Sequence, residues 1–134
     1  AKAVSALAKD ISEFLTGHDI GAPKRWSSLK VAYHAACSLQ HGQRVTWQPK
    51  ALLKKAGFGV LDIAEGHLCC GSAGTYSLLQ PELSRRLRDN KLAALMAGSP
   101  LVIATANIGC LTHLQAGSVL PARHWIELID AAFP

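Results

Sequence analysis

From Leu29 onward, short apolar runs alternate with helical stretches, and few folds accommodate that alternation. Residues 29–33, 58–64, 101–105 and 119–123 read as strands. Between them lie helix signals. Thr46 can cap a helix that runs to Ala56, with Leu52, Leu53 and Ala56 on its apolar side and Gly57 ending it. Pro81 suits the first turn of another, in which Leu83, Leu87 and Leu95 face inward while Arg85, Arg88 and Asp89 stay wet. Residues 110–116 form a third helix, and residues 124–132 a fourth that carries Trp125, Leu128 and Ile129 toward the core. The pattern predicts an α/β fold: a single domain with a four-stranded, mainly parallel sheet flanked by helices. Ahead of it, Val4, Leu7, Ala8, Ile11, Phe14 and Leu15 repeat at helical spacing up to Gly17. Residues 1–28 are therefore expected to be an N-terminal helix and linker, and residues 29–134 the body that carries every cysteine.

Size and charge narrow the function. A chain of 134 residues that is 49% hydrophobic and 17% charged buries enough surface to fold without disulfide staples. No apolar run is long enough for a membrane span, and the opening AKAVSALAKD lacks a secretion signal, so a cytoplasmic location is expected, without direct insertion into a membrane. Ala1 is not an initiator methionine, which suggests part of a longer polypeptide. The net charge of +5 comes from small groups, Lys24-Arg25, Lys54-Lys55 and Arg85-Arg86-Arg88, which are not interleaved with aromatics as in a nucleic-acid groove. Solvated helix faces account for them, and no nucleic-acid partner is expected. The segment from Gly71 to Gly74 lacks G-x-G-x-x-G and a Walker lysine. No nucleophile elbow and no carboxylate pair stands out, so no catalytic residue is assigned.

The cysteines carry the functional signal. In an open parallel sheet, ligands bind beyond the carboxyl ends of the strands. Cys37 follows the first strand in a loop with His34 and His41; Cys69 and Cys70 follow the second with His67 and Gly71; Cys110 follows the third. Helices that start at this edge direct their positive ends at it, which favours the metal-binding thiolate. His113 lies one turn beyond Cys110 and is a candidate fifth ligand. Two adjacent side chains in an extended chain point apart and strain to reach one small tetrahedral zinc. A cluster of several irons is larger, and neighbouring cysteines can bind different irons while Gly71 lets the backbone turn tightly against it. His34 and His67 are candidates to hydrogen-bond cluster sulfur or to shuttle protons. Three alternatives stay open: a zinc site, a metal-free assembly domain in which the cysteines are simply buried, and a thiol-disulfide redox domain using Cys69-Cys70.

The string HLCCGSAGTYSLLQPEL, with YHAACSLQHGQ before it and ATANIGCLTHLQ and RHWIELID after it, resembles the C-terminal cysteine-rich (CCG) domain of glycolate oxidase iron-sulfur subunits. The wider family includes the heterodisulfide reductase catalytic subunit and is defined by a cysteine, then Cys-Cys-Gly, then C-x-x-C. The matching positions are Cys37, Cys69-Cys70-Gly71, and Cys110 with His113. His113 stands where the reductase has its last cysteine, which argues against a five-thiolate noncubane cluster. The resemblance implies an iron-sulfur cluster of 4Fe-4S type and electron transfer within a cytoplasmic or membrane-associated oxidoreductase complex that converts glycolate to glyoxylate. It also implies flavin-containing partner subunits, with FAD bound only there, and a ferredoxin-like region upstream in the parent chain. On this reading the isolated domain does not oxidise glycolate by itself.

Overall fold

In the computed structural model, which describes residues 2–23 and 28–133, the sheet is built around β1 (Lys30–His34), whose Val31 to His34 are all buried. The basic pair Lys24-Arg25 lies outside the described residues. β1 pairs in parallel with β2 (Gly59–Leu61) on one side and with β3 (Val102–Thr105) on the other, and β3 pairs in parallel with β4 (Ala122–His124). The order is β2-β1-β3-β4, so the sheet is entirely parallel. The remaining elements are α1 (Lys2–Leu7), α2 (Ile11–Thr16), α3 (Gln48–Lys55), α4 (Tyr76–Leu79), α5 (Pro81–Met96), α6 (Ile108–Gln115) and α7 (Trp125–Ala132), with a π-helical segment at Ser38–Gln43.

Side chains alternate across the sheet and feed two cores. On one face Val31, Tyr33, Val102 and Ala104 pack with Leu52 and Leu53 of α3 and with Trp125 and Ile129 of α7. On the other, Ala32 and Ile103 pack with Leu92 and Leu95 of α5 and with Cys110 and Leu114 of α6. Leu53, Leu95 and Trp125 are each fully buried, worth about 1.5–3 kcal/mol apiece for the apolar side chains. The chain leaves β1 toward one sheet edge through α3 and leaves β3 toward the other through α6. The point of reversal, between the carboxyl ends of β1 and β3, is where an open α/β sheet forms its crevice.

Several elements differ from the sequence expectation. The N-terminal periodicity predicts one helix, but Asp10 caps a new one: its side chain accepts from Ser12 N–H at 2.9 Å and Glu13 returns to the Asp10 N–H at 2.9 Å, a capping box that separates α2 from α1. Thr46 does not cap α3; Trp47 occupies that position and Pro49 enters the first turn. The β1 strand extends through His34, which the loop assignment missed. The second strand ends at Leu61, short of the expected residue 64, and the fourth is shifted to Ala122–His124. The largest difference is on α5. Ser84, Lys91, Leu92 and Leu95 are its buried residues, whereas Leu83 and Leu87 are 47% and 38% exposed.

Candidate metal centre

Each cysteine is delivered to the reversal point from a loop or helix start at the carboxyl edge of the sheet. Cys37 lies at the entrance of the π-helical segment after β1. That segment is tied across to the next loop, because Gln40 Nε2 and His41 Nε2 donate to the His67 carbonyl at 3.4 and 3.2 Å. Cys69 and Cys70 lie in the loop between β2 and α4, and Cys110 in the first turn of α6. Asn107 sets that first turn: its side-chain oxygen accepts from Gly109 N–H at 2.9 Å and Cys110 N–H at 3.2 Å.

Cys37, Cys69, Cys110 and His113 border one cavity of about 690 Å³, together with Ser72, Asn107 and Thr112. Cys70 sits behind it, fully buried. Its sulfur, the Cys110 sulfur and a ring nitrogen of His34 all lie within 4.8 Å of one another. Gly71 N–H donates to Cys69 Sγ at 3.3 Å. The Cys70 thiol is held well below the ordinary thiol range by the hydrogen bond from the Cys110 thiol, against the opposing effect of burial, with His34 and the Ser72 backbone N–H adding to the pull. Cys110 is raised correspondingly by that same bond and by burial. Cys37 is pushed up to about 11 by burial and by the neighbouring Cys69. A charge on one sulfur thus raises the cost of charging the next, a repulsion that a bound cation relieves.

Residues 31–115, which span these four cysteines, match the family model described as the cysteine-rich domain, CCG. The chain belongs to that family. It is 45% identical over 98% of its length to the glycolate oxidase iron-sulfur subunit of Escherichia coli. It is 35% identical over 65% of its length to the probable glycolate oxidase iron-sulfur subunit of Bacillus subtilis, and 30% identical over 81% to lactate utilization protein A of Bacillus licheniformis. The aligned part spans 32%, 20% and 44% of those relatives.

The CCG loop rests on a support that sequence reasoning missed. Gly71 has φ +89°, a left-handed backbone that glycine adopts freely, and a Cβ there would meet the Ser84 carbonyl oxygen at 2.5 Å. Ser84, buried on α5, donates its hydroxyl to the Gly71 carbonyl at 2.8 Å. Because that hydroxyl proton is committed, the 3.2 Å contact between Ser84 Oγ and His113 Nε2 assigns the proton there to histidine, which also reaches the Ser84 carbonyl at 3.3 Å. This network leaves Nδ1 as the lone-pair nitrogen of His113. His67, by contrast, is exposed and does not border the cavity; its carbonyl serves the π-helical segment. Asn107 had a readable signal, an Asn just before an apolar run, whereas Ser84 had none.

The CCG domain also leaves buried polar atoms unmatched where a bound group would be expected to use them. Both ring nitrogens of His34 and the Thr105 hydroxyl have no hydrogen-bond partner among the described residues, although His34 and Thr105 are 1% and 0% exposed. The two are register partners at the ends of β1 and β3, on the sheet face that carries Cys70 and Cys110. Orphaned buried polar groups are costly; the Cys70 and Cys110 sulfurs lie beside His34, and Cys37 and Cys69 border the same cavity as Cys110, a donor set suited to an iron-sulfur cluster or zinc. The residues present therefore fit a metal group at this position.

Proposed function

We propose that the domain binds an iron-sulfur cluster of 4Fe-4S type and transfers electrons within an oxidoreductase acting on a small 2-hydroxy acid, glycolate by analogy with its Escherichia coli and Bacillus subtilis relatives. The observation that carries this reading is the convergence of four cysteines from three loops at the reversal point of a parallel sheet, three of them bordering one cavity and the fourth just behind it. Cys37, Cys69, Cys70 and Cys110 are the thiolate ligands, and His113 the candidate nitrogen ligand through Nδ1. Such a cluster supplies one-electron carriage when bound. The chain's own part is to hold it: Gly71 shapes the loop and donates an N–H to sulfur, Asn107 orients Cys110, and His34 offers a buried imidazole at the back.

The cavity is lined by cysteines, small residues, amides and hydroxyls with His113, and no carboxylate stands among them to pair with that histidine in acid-base work. On this reading the oxidation of substrate falls to flavin-containing partner subunits and this domain relays electrons. A ferredoxin-like region of the parent chain would be the adjoining relay. We place the cluster-binding unit at residues 29–134, with residues 1–28 leading into it. Among the described residues no helix is long and apolar enough to cross a membrane. We place the complex in the cytoplasm or held at a membrane by other subunits.

A second reading is favoured by the compactness of His34, Cys70 and Cys110, whose ligand atoms lie close enough together for a single zinc ion. It leaves Cys37 and Cys69 without a role. One measurement separates the two: iron, zinc and acid-labile sulfide content of protein prepared without oxygen, with the electron paramagnetic resonance spectrum after reduction. Iron and sulfide together with a cluster spectrum are expected. One zinc per chain with no sulfide would establish the second reading instead.

A further inference from the structure

Lysine is rarely buried, and an ammonium inside a protein needs a compensating charge. Lys91 is only 4% exposed, in the middle of α5. Its Nζ donates to the Glu65 carbonyl at 2.9 Å, and a carbonyl is a neutral partner. The ion pairs among the described residues, Lys55 with Asp19 and Arg88 with Asp89, do not include it. Lys91 shares a second cavity, of about 150 Å³, with Cys69, Leu68 and Leu87, on the α5 side of the cysteine loop. Its next neighbour Leu92 and Leu95 one turn on pack in the same core as Cys70 and Cys110. Burial lowers the basicity of Lys91, while Cys70, Cys37, Glu65 and Cys69, in that order, act in the opposite sense. Of these groups, Cys69 and Glu65 border the same cavity as Lys91, which places the ammonium directly against the Cys69-Cys70 loop.

Resting on the cluster reading above, we propose that Lys91 is a positioning residue that sets the redox balance of the site: its buried positive charge lies behind the Cys69-Cys70 loop, offsets the thiolate charge, and favours the reduced, more negative state. Its hydrogen bond to Glu65 pins the turn from which that loop departs. Leu87 and Lys91, one turn apart, form the α5 wall against which the loop is seated. A charge held there in low dielectric acts on the neighbouring sulfurs far more strongly than any surface lysine could.

The test is the midpoint potential of the chain loaded with iron and sulfide without oxygen, followed by electron paramagnetic resonance, for the wild type and for Lys91→Met, Lys91→Gln and Lys91→Arg. Methionine matches the length of lysine without its charge, glutamine keeps a donor for the Glu65 carbonyl, and arginine keeps the charge. At the wild-type midpoint, Met and Gln are expected to lower the ratio of reduced to oxidised cluster about tenfold, or about 59 mV for one electron, while Arg stays within about twofold. Gln or Met matching the wild type, or Arg falling as far as they do, overturns the proposal. If Met fails to fold, the comparison of Gln with Arg decides the matter. A wild-type chain that takes up no iron and sulfide defeats the cluster reading, and this proposal with it; a loaded wild type whose potential the neutral variants do not move defeats this proposal alone.

Discussion

Gly71→Ala tests whether the Cys-Cys-Gly turn is held by α5. Two costs combine at this position. The backbone sits at φ +89°, and forcing an L-residue into the left-handed region costs about 1–2 kcal/mol. The added Cβ would also lie 2.5 Å from the Ser84 carbonyl oxygen and 2.9 Å from Leu87 Cβ. The first of these is helix backbone, which cannot rotate away, so the loop must lift off α5. Overpacking of this kind costs about 1–3 kcal/mol. The sum is about 2–5 kcal/mol, a large part of the roughly 5–15 kcal/mol that holds a domain folded.

Gly74→Ala is the matched control. It lies three residues on at φ +59°, with nothing within 4 Å of an added methyl, so it retains the backbone cost alone, about 1–2 kcal/mol. Urea denaturation of the metal-free chains, compared at equal m-value, reads both numbers. Lifting the loop also displaces Cys69 and Cys70, so Gly71→Ala should hold less iron after anaerobic loading than Gly74→Ala. Equal destabilisation by the two alanines would refute the claim that the close seating on α5, rather than turn geometry, is what glycine provides here.

Ser84→Ala removes the hydroxyl that serves both the Gly71 carbonyl and His113 Nε2; the buried Gly71 carbonyl loses its partner while His113 keeps the Ser84 carbonyl, which should cost about 1–3 kcal/mol in the same urea assay; a loss below about 0.5 kcal/mol would mean the network is incidental. The pH dependence of the metal-free chain follows from Cys70, whose folded-state pKa is depressed by Cys110 and His34. Its stabilising contribution is complete above the unfolded thiol value of about 8.5 and is lost as pH falls toward the depressed one. Stability to urea should therefore rise with pH between about 6 and 8, and Cys70→Ala should flatten that rise; a wild-type slope of the opposite sign would contradict the assignment of the thiolate to Cys70.

The parallel α/β architecture was legible because each strand and each covering helix carries its own local signal, and because a cysteine after each of three strands must come to the same edge once the strands are parallel. Pro81 at the start of α5 and Gly57 after α3 were legible for the same local reason. The break at Asp10 could have been read from its pairing with Glu13, but the apolar repeat ran through it and masked the cap. The π-helical segment at Ser38–Gln43 carries no such signal, since bonds from Gln40 and His41 to a carbonyl in the next loop help set it.

The misreading of α5 is of a different kind, and it bears on the site. Scoring the helix by hydrophobicity turns Leu83, Leu87 and Leu95 inward, yet only Leu95 of these is buried, and Ser84 and Lys91 are buried with it, at 1% and 4% exposure. A polar side chain can be buried at little cost only where a partner waits for it. The partners here are the Gly71 carbonyl for Ser84 and the Glu65 carbonyl for Lys91, both in the stretch that holds Cys69 and Cys70. Neither partner is visible from α5 itself, which is why periodicity fails at these positions. The failure is therefore informative: the helix gives up apolar burial at the two places where it grips the cysteine loop. A variant that restores the expected pattern at one of them, such as Lys91→Met, leaves the Glu65 carbonyl without its donor and is accordingly expected to cost the metal-free chain about 1–3 kcal/mol while also altering the loaded site.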